Sequence, residues 1–114
     1  MKIDSYEFGS ITIDGKMYTS DVVIYPGRVD AAWWRKEGHR LQPADLEDVV
    51  NARPDIVVVG TGYAGVMAVP EATKNFLTSK GIDVRVARTG KAVDSFNTLQ
   101  GGNKVVIAAL HITC

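Results

Sequence analysis

The spacing of hydrophobic and polar positions changes along the chain and separates strands from helices. At residues 10–18, apolar and polar residues alternate on both sides of Asp14-Gly15, which is typical of two antiparallel strands joined by a tight hairpin turn. A second apolar run, at residues 21–25, stops at Pro26. We therefore expect the first third of the chain to form a small antiparallel β unit.

The strongest strand signal is the run of four β-branched residues at positions 56–59, bounded by Pro54 and Gly60. A continuous apolar run is typical of a strand covered on both faces, and we expect it to be the central strand of a sheet. It leads into a loop at positions 60–65, GTGYAG, whose three glycines permit a sharp turn or a close backbone approach. In an open α/β sheet, ligands bind at this carboxyl edge.

Helical spacing of apolar residues alternates with further strands. In chain order, the pattern predicts a short helix from Pro43, a helix from Pro70 to Gly81, a strand at residues 82–86, a helix capped by Thr89, and a strand at residues 105–112. The strands at 56–59 and 82–86 should be neighbours, because a strand, a helix and a strand of these lengths form a βαβ crossover. Spacing alone also makes the last strand parallel, since a helix of about a dozen residues spans roughly 18 Å and returns the chain.

Composition is that of an ordinary globular protein. The 114 residues predict one domain, residues 1–114, and the 13 basic residues balance the 13 acidic ones, which gives no bulk electrostatic reason to expect nucleic acid as a partner. The only cysteine is Cys114, so no intrachain disulfide can form and a reducing compartment is expected. Without an apolar signal segment or a run long enough to span a bilayer, we predict a cytoplasmic protein with no membrane insertion.

The glycines at positions 60, 62 and 65 spell G-x-G-x-x-G after a strand, the pattern of a dinucleotide-binding turn. The context argues against that function. In the dinucleotide motif the helix begins within the glycines, whereas here Pro70 would fall inside that helix at a cost of about 3 kcal/mol. Arg85 and Arg88 also stand where a ribose-binding carboxylate is expected. We therefore predict no dinucleotide binding and no cofactor.

Catalytic and metal-binding residues do not emerge from the sequence. Nucleophilic catalysis would have to pair Cys114 with His111 or His39, and residues 111 and 114 of one strand face opposite sides. Two histidines and one cysteine also lack the spacing of metal ligands. We leave the catalytic residues unassigned and predict no metal site.

A small-molecule site, if the protein has one, is expected where the glycine loop meets the helix that starts at Thr89. The βαβ crossover brings these two connections to the same edge of the sheet. Gly60, Thr61 and Gly62 would supply exposed backbone donors. Lys91 would add a charge, Asn97 an amide and Trp34 an aromatic wall. The alternative is that the glycines serve backbone geometry only and that Thr89 is a plain helix cap.

The adjacent tryptophans, Trp33 and Trp34, cannot both face inward from an extended segment, because neighbouring side chains point to opposite faces. We expect one to fill the gap between the hairpin unit and the main sheet, and the other to lie on the surface or in a cleft. A surface tryptophan favours a stacking or partner-binding role.

Several segments together resemble a family of small prokaryotic domains of unknown function. They are the tryptophan-rich segment, PDIVVVGTGYAGVM at residues 54–67, the Thr89-Gly90-Lys91-Ala92 helix start with Phe96-Asn97 inside the helix, and the closing strand. Eukaryotic members of this family include a mitochondrial complex I assembly factor and an adipogenesis-associated protein. The resemblance implies a three-layer α/β domain with a mixed central β-sheet, helices on both faces and an N-terminal β-hairpin extension. It also implies an antiparallel strand, which replaces the parallel orientation of the last strand.

Two functions fit these observations. The first is a non-enzymatic protein-binding or assembly module with a protein partner or a second copy of itself, because no catalytic constellation is present and one tryptophan is unpaired. The alternative is a protein or enzyme that binds a small anionic ligand at the glycine loop. The resemblance brings no established reaction and shifts weight toward the first function, although fold analogy does not establish function.

Overall fold

The structure, a computed structural model, describes residues 1–114. It contains eight β strands, three α helices and a 3₁₀ turn. In chain order the elements are β1 (Ile3–Glu7), β2 (Ser10–Ile13), β3 (Lys16–Tyr18), β4 (Val22–Tyr25), β5 (Arg28–Asp30), the 3₁₀ turn (Pro43–Leu46), α1 (Glu47–Asn51), β6 (Ile56–Thr61), α2 (Glu71–Ser79), β7 (Asp83–Ala87), α3 (Thr89–Gln100) and β8 (Val106–His111).

The strands form two sheets. β1, β2 and β3 make a three-stranded antiparallel sheet, and the other five strands make a mixed sheet in the order β5-β4-β8-β6-β7. In the mixed sheet β8, β6 and β7 are parallel, whereas β4 is antiparallel to β8 and β5 is antiparallel to β4. The predicted α/β fold with a mixed sheet and an N-terminal β extension is confirmed.

Two crossovers, β6-α2-β7 and β7-α3-β8, build the parallel part of the sheet. Val58 of β6 lies opposite Arg85 of β7 on one side and Ala108 of β8 on the other, so the strands predicted to be neighbours are neighbours. The middle position belongs to β8, which corrects the placement of β6 at the centre. The antiparallel orientation that the resemblance implied for the last strand is also wrong. β8 runs parallel to β6, because the 12 residues of α3 span about 18 Å and return the chain.

The first third of the chain is divided between the two sheets, which corrects the prediction of one antiparallel unit. The hairpin at Asp14-Gly15 is confirmed, with positive φ angles of 48° and 80°. β1, which the pattern did not reveal, adds a third strand to it. β4 instead joins the mixed sheet beside β8. All four residues of β4 are buried, so this strand requires cover on both faces, which the small sheet does not offer.

The helices begin and end close to their predicted positions. α2 follows Pro70 as its N-cap, and Gly81 lies just beyond its end with a φ of +78°. The short helical segment after Pro43 is a 3₁₀ turn that continues into α1. None of the helices has the length and apolar character that crossing a membrane requires.

Alternation along the strands separates two hydrophobic cores, one on each face of the mixed sheet. In β6, Ile56 and Val58 belong to one core, and Val57 and Val59 belong to the other. The first face is covered by α3 and the small sheet through Ala92, Val93, Phe96, Ile3, Ile11 and Ile13. The second face is covered by the 3₁₀ turn, α1 and α2 through Leu46, Val49 and Leu77. The result is a three-layer arrangement with helices on both faces.

Candidate functional site

The glycine loop that follows β6 is closely packed at the carboxyl edge of the sheet. A Cβ atom on Gly60 would lie 2.7 Å from Thr89 Oγ1, and a Cβ atom on Gly62 would lie 2.5 Å from the carbonyl carbon of Cys114. Both glycines therefore permit a close approach. The groups that approach them belong to the protein itself.

Thr89 joins three segments at this edge. Its Oγ1 accepts a hydrogen bond from the Gly62 N–H at 2.9 Å and donates one to the His111 carbonyl oxygen at 2.5 Å, while its own N–H donates to the Gly62 carbonyl oxygen at 3.1 Å. The N-cap of α3 is Arg88, and Thr89 is buried inside the first turn. The interpretation of Thr89 as a plain helix cap is therefore wrong, because its hydroxyl fastens the helix start to β6 and β8.

Backbone donors expected to be free for a ligand are used within the fold. The Gly62 N–H is taken by Thr89, and Gly60 lies inside β6 with a paired strand on each side. The Thr61 hydroxyl donates to the Ala87 carbonyl oxygen at 3.1 Å. None of the four surface cavities is lined by residues of this loop.

The other residues of the predicted ligand site contact different parts of the protein. Lys91 is exposed and lines a cavity of about 350 Å³ on the outer side of α3, together with Arg85. The Asn97 side chain binds the backbone of Ile3 twice, accepting its N–H at 2.9 Å and donating to its carbonyl oxygen at 2.8 Å. Trp34 borders a separate groove, described below. The structure brings Gly60, Thr61 and Gly62 together but does not add these three side chains to them.

Three residues that the sequence left unassigned meet at the same edge. One ligand atom from each of His39, His111 and Cys114 lies within 4.8 Å of the other two. Cys114 Sγ is 3.4 Å from His39 Nε2, and the two imidazole centroids are 5.6 Å apart. The prediction that residues 111 and 114 face away from each other is wrong, because β8 ends at His111 and strand alternation does not extend beyond it. The argument from sequence spacing against a metal site loses its basis for the same reason.

The segment that carries Cys114 is held by the loop that follows β6 and by β1. The Tyr63 N–H donates to the Thr113 carbonyl oxygen at 2.6 Å, and the Val66 N–H donates to the Cys114 carbonyl oxygen at 3.0 Å. On the other side, the Tyr6 hydroxyl donates to the Ile112 carbonyl oxygen at 3.0 Å. The close packing at Gly62 is thus part of the arrangement that places the thiol.

Asp21 lies at the centre of the polar contacts behind the cluster. Its Oδ2 contacts His111 Nδ1 at 2.9 Å and accepts a hydrogen bond from Arg35 Nη2 at 2.8 Å, and its Oδ1 accepts the Ile112 N–H at 2.8 Å. Burial alone raises the pKa of Asp21, but hydrogen bonds with His111, the Ile112 N–H and Arg35 lower that pKa from 3.8 to about 2. The carboxylate is therefore ionised at neutral pH.

Arg35 positions the loop that carries His39. Its guanidinium is buried, donates from Nε and Nη2 to the Gly38 carbonyl oxygen at 3.2 and 2.9 Å, and lies 4.6 Å from the Trp33 ring centroid. The His39 carbonyl oxygen accepts the Ala68 N–H at 2.8 Å. Nothing in the sequence revealed this role, because the arginine and its carboxylate partner belong to separate loops.

His111 keeps one ring nitrogen without a partner. Its side chain is 6% exposed, and Nε2 is buried without a hydrogen bond. Nδ1 is 2.9 Å from an Asp21 oxygen, which can only accept, and 3.1 Å from Arg35 Nη2. We assign the hydrogen to Nδ1 because the shorter contact is to the carboxylate, and Nε2 then carries a free lone pair. The Cδ2 edge of the ring faces Gly62.

An aromatic patch lies beside this edge. Phe8 and Tyr63 are 58% and 60% exposed, and their rings meet edge to face with centroids 6.0 Å apart. Tyr6 packs on Tyr63 at 6.5 Å. Burial raises the pKa of Tyr6, so its hydroxyl remains protonated and available as the donor to the neighbouring carbonyl.

The two tryptophans have different environments, as expected, but the inner one lies elsewhere than predicted. Trp33 is half-buried against the core that α1 and α2 cover, and its Nε1 donates to the Asp45 carbonyl oxygen at 3.2 Å. It does not fill a gap beside the small sheet, whose residues belong to the other core. Trp34 is 75% exposed and borders a groove of about 380 Å³.

A family model described as a protein of unknown function (DUF498/DUF598) matches residues 3–111. The chain belongs to the DUF498/DUF598 family. This confirms the resemblance to an uncharacterised family that the sequence suggested. The relation to a mitochondrial assembly factor stays a hypothesis.

Solved structures of the same fold come from archaea and bacteria. A conserved hypothetical protein, PH1505 from Pyrococcus horikoshii OT3, is 31% identical, with a TM-score of 0.84 and all of both chains covered. A protein described as an outer membrane protein from Bartonella henselae is 22% identical, with a TM-score of 0.81, 98% of this chain covered and 94% of that one. A Bordetella pertussis protein described as a Mth938-like domain is 20% identical, with a TM-score of 0.67 and 97% and 85% covered. The last two similarities show the fold alone.

Proposed function

We propose that this protein is a non-enzymatic binding module that docks a lysine-rich segment of a partner protein in the groove beside Trp34. The observation that carries the proposal is the exposed indole at the rim of an acidic groove. The groove is lined by Asp30, Ala32, Trp33, Trp34, Lys36, Ala44, Asp45, Glu47 and Asp48. Four carboxylates thus face one lysine, which favours a cationic occupant.

The groove offers two kinds of contact to a basic side chain. Glu47 and Asp48 are exposed in the first turn of α1, where they can pair with a guanidinium or an ammonium group. The face of Trp34 can hold the same type of group by a cation–π contact, which contributes about 0.5–2 kcal/mol. Exposed tryptophans are also frequent energetic centres of protein interfaces.

Hydrogen bonds fix the walls of the groove before a partner arrives. Asp45 accepts the Lys36 N–H at 3.1 Å and the Gln42 N–H at 2.9 Å, and its carbonyl oxygen holds Trp33. Asp30 accepts the Ala32 N–H at 3.0 Å. A groove that is ordered in advance loses less entropy on binding.

The resemblance to assembly proteins supports a protein partner rather than a small ligand. A nucleic acid is disfavoured, because the groove is acidic and the whole chain has 13 basic and 13 acidic residues. An unpaired thiol at Cys114 is consistent with a reducing compartment, and we place the protein in the cytoplasm.

Zero-length carbodiimide cross-linking in a lysate of the source cells tests the proposal, because this reagent joins carboxylates to lysines in direct contact. We expect peptides that contain Glu47 or Asp48 to be joined to a lysine within a basic segment of a second protein, and this product to be lost in Trp34→Ala. Phe8→Ala, which removes another exposed aromatic ring that lies outside the groove, should leave the product unchanged.

Three results would overturn the proposal. They are cross-links that persist at full yield in Trp34→Ala, cross-links that join only two copies of this chain, and the absence of any product containing these carboxylates. A product lost in Phe8→Ala but kept in Trp34→Ala would move the docking surface to the aromatic patch.

A further inference from the structure

We propose that His39, His111 and Cys114 form a binding site for a borderline-soft divalent metal ion of the zinc class. The site goes beyond the proposed docking function and involves none of the residues that line the acidic groove. Each of the three residues offers one ligand atom, and these atoms lie within 4.8 Å of one another.

The separation between Cys114 and His39 matches that of two ligands on one metal ion. A tetrahedral zinc site with bonds of about 2.0–2.1 Å to nitrogen and about 2.3 Å to sulfur separates the two ligand atoms by roughly 3.5 Å. Cys114 Sγ and His39 Nε2 are 3.4 Å apart. The other separations are at most 4.8 Å, so movement of about an ångström by the exposed His39 and the partly exposed Cys114 side chains brings the three atoms to the spacing of metal ligands.

The buried, unpartnered nitrogen of His111 is a second, independent sign of a ligand. A buried polar atom without a partner destabilises the fold, and such atoms are uncommon in folded proteins. His111 Nε2 is a buried atom of this kind: the residue is only 5% exposed, and its contact with Asp21 uses the other ring nitrogen. A metal ion bound at Nε2 would satisfy the lone pair.

Asp21 orients His111 as metal-bound histidines are usually oriented. A ligating imidazole commonly donates its other N–H to a carboxylate, which fixes the tautomer and increases the basicity of the ligating nitrogen. The contact between Asp21 Oδ2 and His111 Nδ1 at 2.9 Å has this form. Arg35 holds the carboxylate in place and also binds the loop that carries His39.

The donor set selects the class of metal. One thiolate and two imidazoles suit zinc and its neighbours among the transition metals, whereas magnesium and calcium prefer oxygen ligands. Three protein ligands leave a fourth tetrahedral position for water or for a group from a partner.

Cobalt titration of the untagged, chelator-treated protein tests the site, because Co²⁺ reports its own ligands in its absorption spectrum. We expect binding of one ion per chain, with the intense visible bands of tetrahedral coordination and a near-ultraviolet thiolate-to-cobalt charge-transfer band. Addition of Zn²⁺ should displace the cobalt and remove both signals. Full-length protein without a polyhistidine tag is required, since the tag itself binds these ions.

Matched variants identify the ligands. Cys114→Ser should abolish the charge-transfer band, and the neighbouring change Thr113→Ser should leave it intact. His39→Asn removes an exposed side chain and should weaken cobalt binding more than about 100-fold, whereas Asp21→Asn, which removes only the orienting carboxylate, should weaken it about 10- to 100-fold. His111→Gln should also abolish binding; the first two ligand variants decide the question if this one fails to fold.

A cobalt spectrum without a thiolate band would overturn the proposal. So would unchanged affinity in His39→Asn, or no binding at stoichiometric cobalt in protein that circular dichroism shows to be folded. In the last case, the Cys114–His39 contact would be a metal-free thiol–imidazole pair.

Discussion

Replacing Gly62 with alanine should push the segment that carries Cys114 away from the glycine loop at the carboxyl edge of the sheet. Gly62 has a φ of +109°, and a Cβ atom there would lie 2.5 Å from the carbonyl carbon and 2.6 Å from the carbonyl oxygen of Cys114. It would also lie 2.9 Å from His111 Cδ2. Backbone atoms cannot rotate away as a side chain can, so the segment that carries Cys114 must shift.

Gly81 provides a matched control for the backbone conformation. Its φ is +78°, also in the region that disfavours side chains, but an added Cβ would meet no atom within 4 Å. Gly81→Ala should therefore lower the free energy of unfolding only by the cost of placing alanine in the left-handed conformation, about 1–2 kcal/mol. Gly62→Ala adds overpacking, typically about 1–3 kcal/mol, so its total cost should be about 2–5 kcal/mol.

Urea unfolding of the two variants and the parent, in the presence of a chelator, measures the difference. We expect Gly62→Ala to lose more free energy of unfolding than Gly81→Ala at an unchanged dependence on urea, and to lose cobalt affinity as well. Equal destabilisation of the two variants, or full cobalt affinity in Gly62→Ala, would refute the close packing of Cys114 on the glycine loop.

Three further predictions concern stability. The pKa of Asp21 in the folded protein, about 2, lies below its ordinary value of 3.8. The ionised carboxylate therefore stabilises the metal-free fold by about 2 kcal/mol above pH 4, and this contribution should be lost as the pH falls from 4 to 2. Acid unfolding of Asp21→Asn should lack this part of the pH dependence. Asn97→Ala leaves the Ile3 N–H and carbonyl group unpaired, so it should lower the free energy of unfolding by about 1–3 kcal/mol. Hydrogen exchange at the Ile3 amide should accelerate, and an unchanged exchange rate would contradict the contact. Gly90→Ala, in the first turn of α3 with no atom within 4 Å of an added Cβ, should raise the urea midpoint by the equivalent of about 0.4–1 kcal/mol, and a lower midpoint would contradict that placement.

Features that depend on residues close together in the sequence could be predicted from the sequence. The Asp14-Gly15 turn, the buried strand at residues 56–59 and the helix start after Pro70 each follow from a short pattern with a single physical explanation. The crossover between β6 and β7 followed as well, since the helix between them is too short to permit many alternatives.

Features that depend on distant residues could not be predicted in the same way. The apolar residues of β4 indicate a strand that is covered on both faces, but the sequence does not show which sheet offers that cover, and the pairing with β8 decides it. The family resemblance misled for β8, because the mixed character of a sheet does not say which strand is antiparallel. Trp33 was correctly separated from Trp34, but its burial could not be assigned to one of two cores from sequence alone.

The carboxyl edge shows the same limit at the level of the site. Gly62 signalled a close approach, and the sequence could not say whether a ligand or the chain itself approaches it. His39 and Cys114 are 75 positions apart, and Asp21 and His111 are 90 apart, so no spacing rule connects them. A lone histidine at the end of a buried strand was the available signal, and it gained meaning only when its partners were in place.

The arrangement of His39, His111 and Cys114 underlies both the metal proposal and the Gly62 prediction, and anomalous X-ray diffraction measures it directly. Crystals of the zinc-loaded protein, measured on both sides of the zinc absorption edge, should show one anomalous peak about 2.0–2.3 Å from His39 Nε2, His111 Nε2 and Cys114 Sγ. No peak at this edge of the sheet, or a zinc ion held elsewhere by surface carboxylates alone, would contradict the assignment.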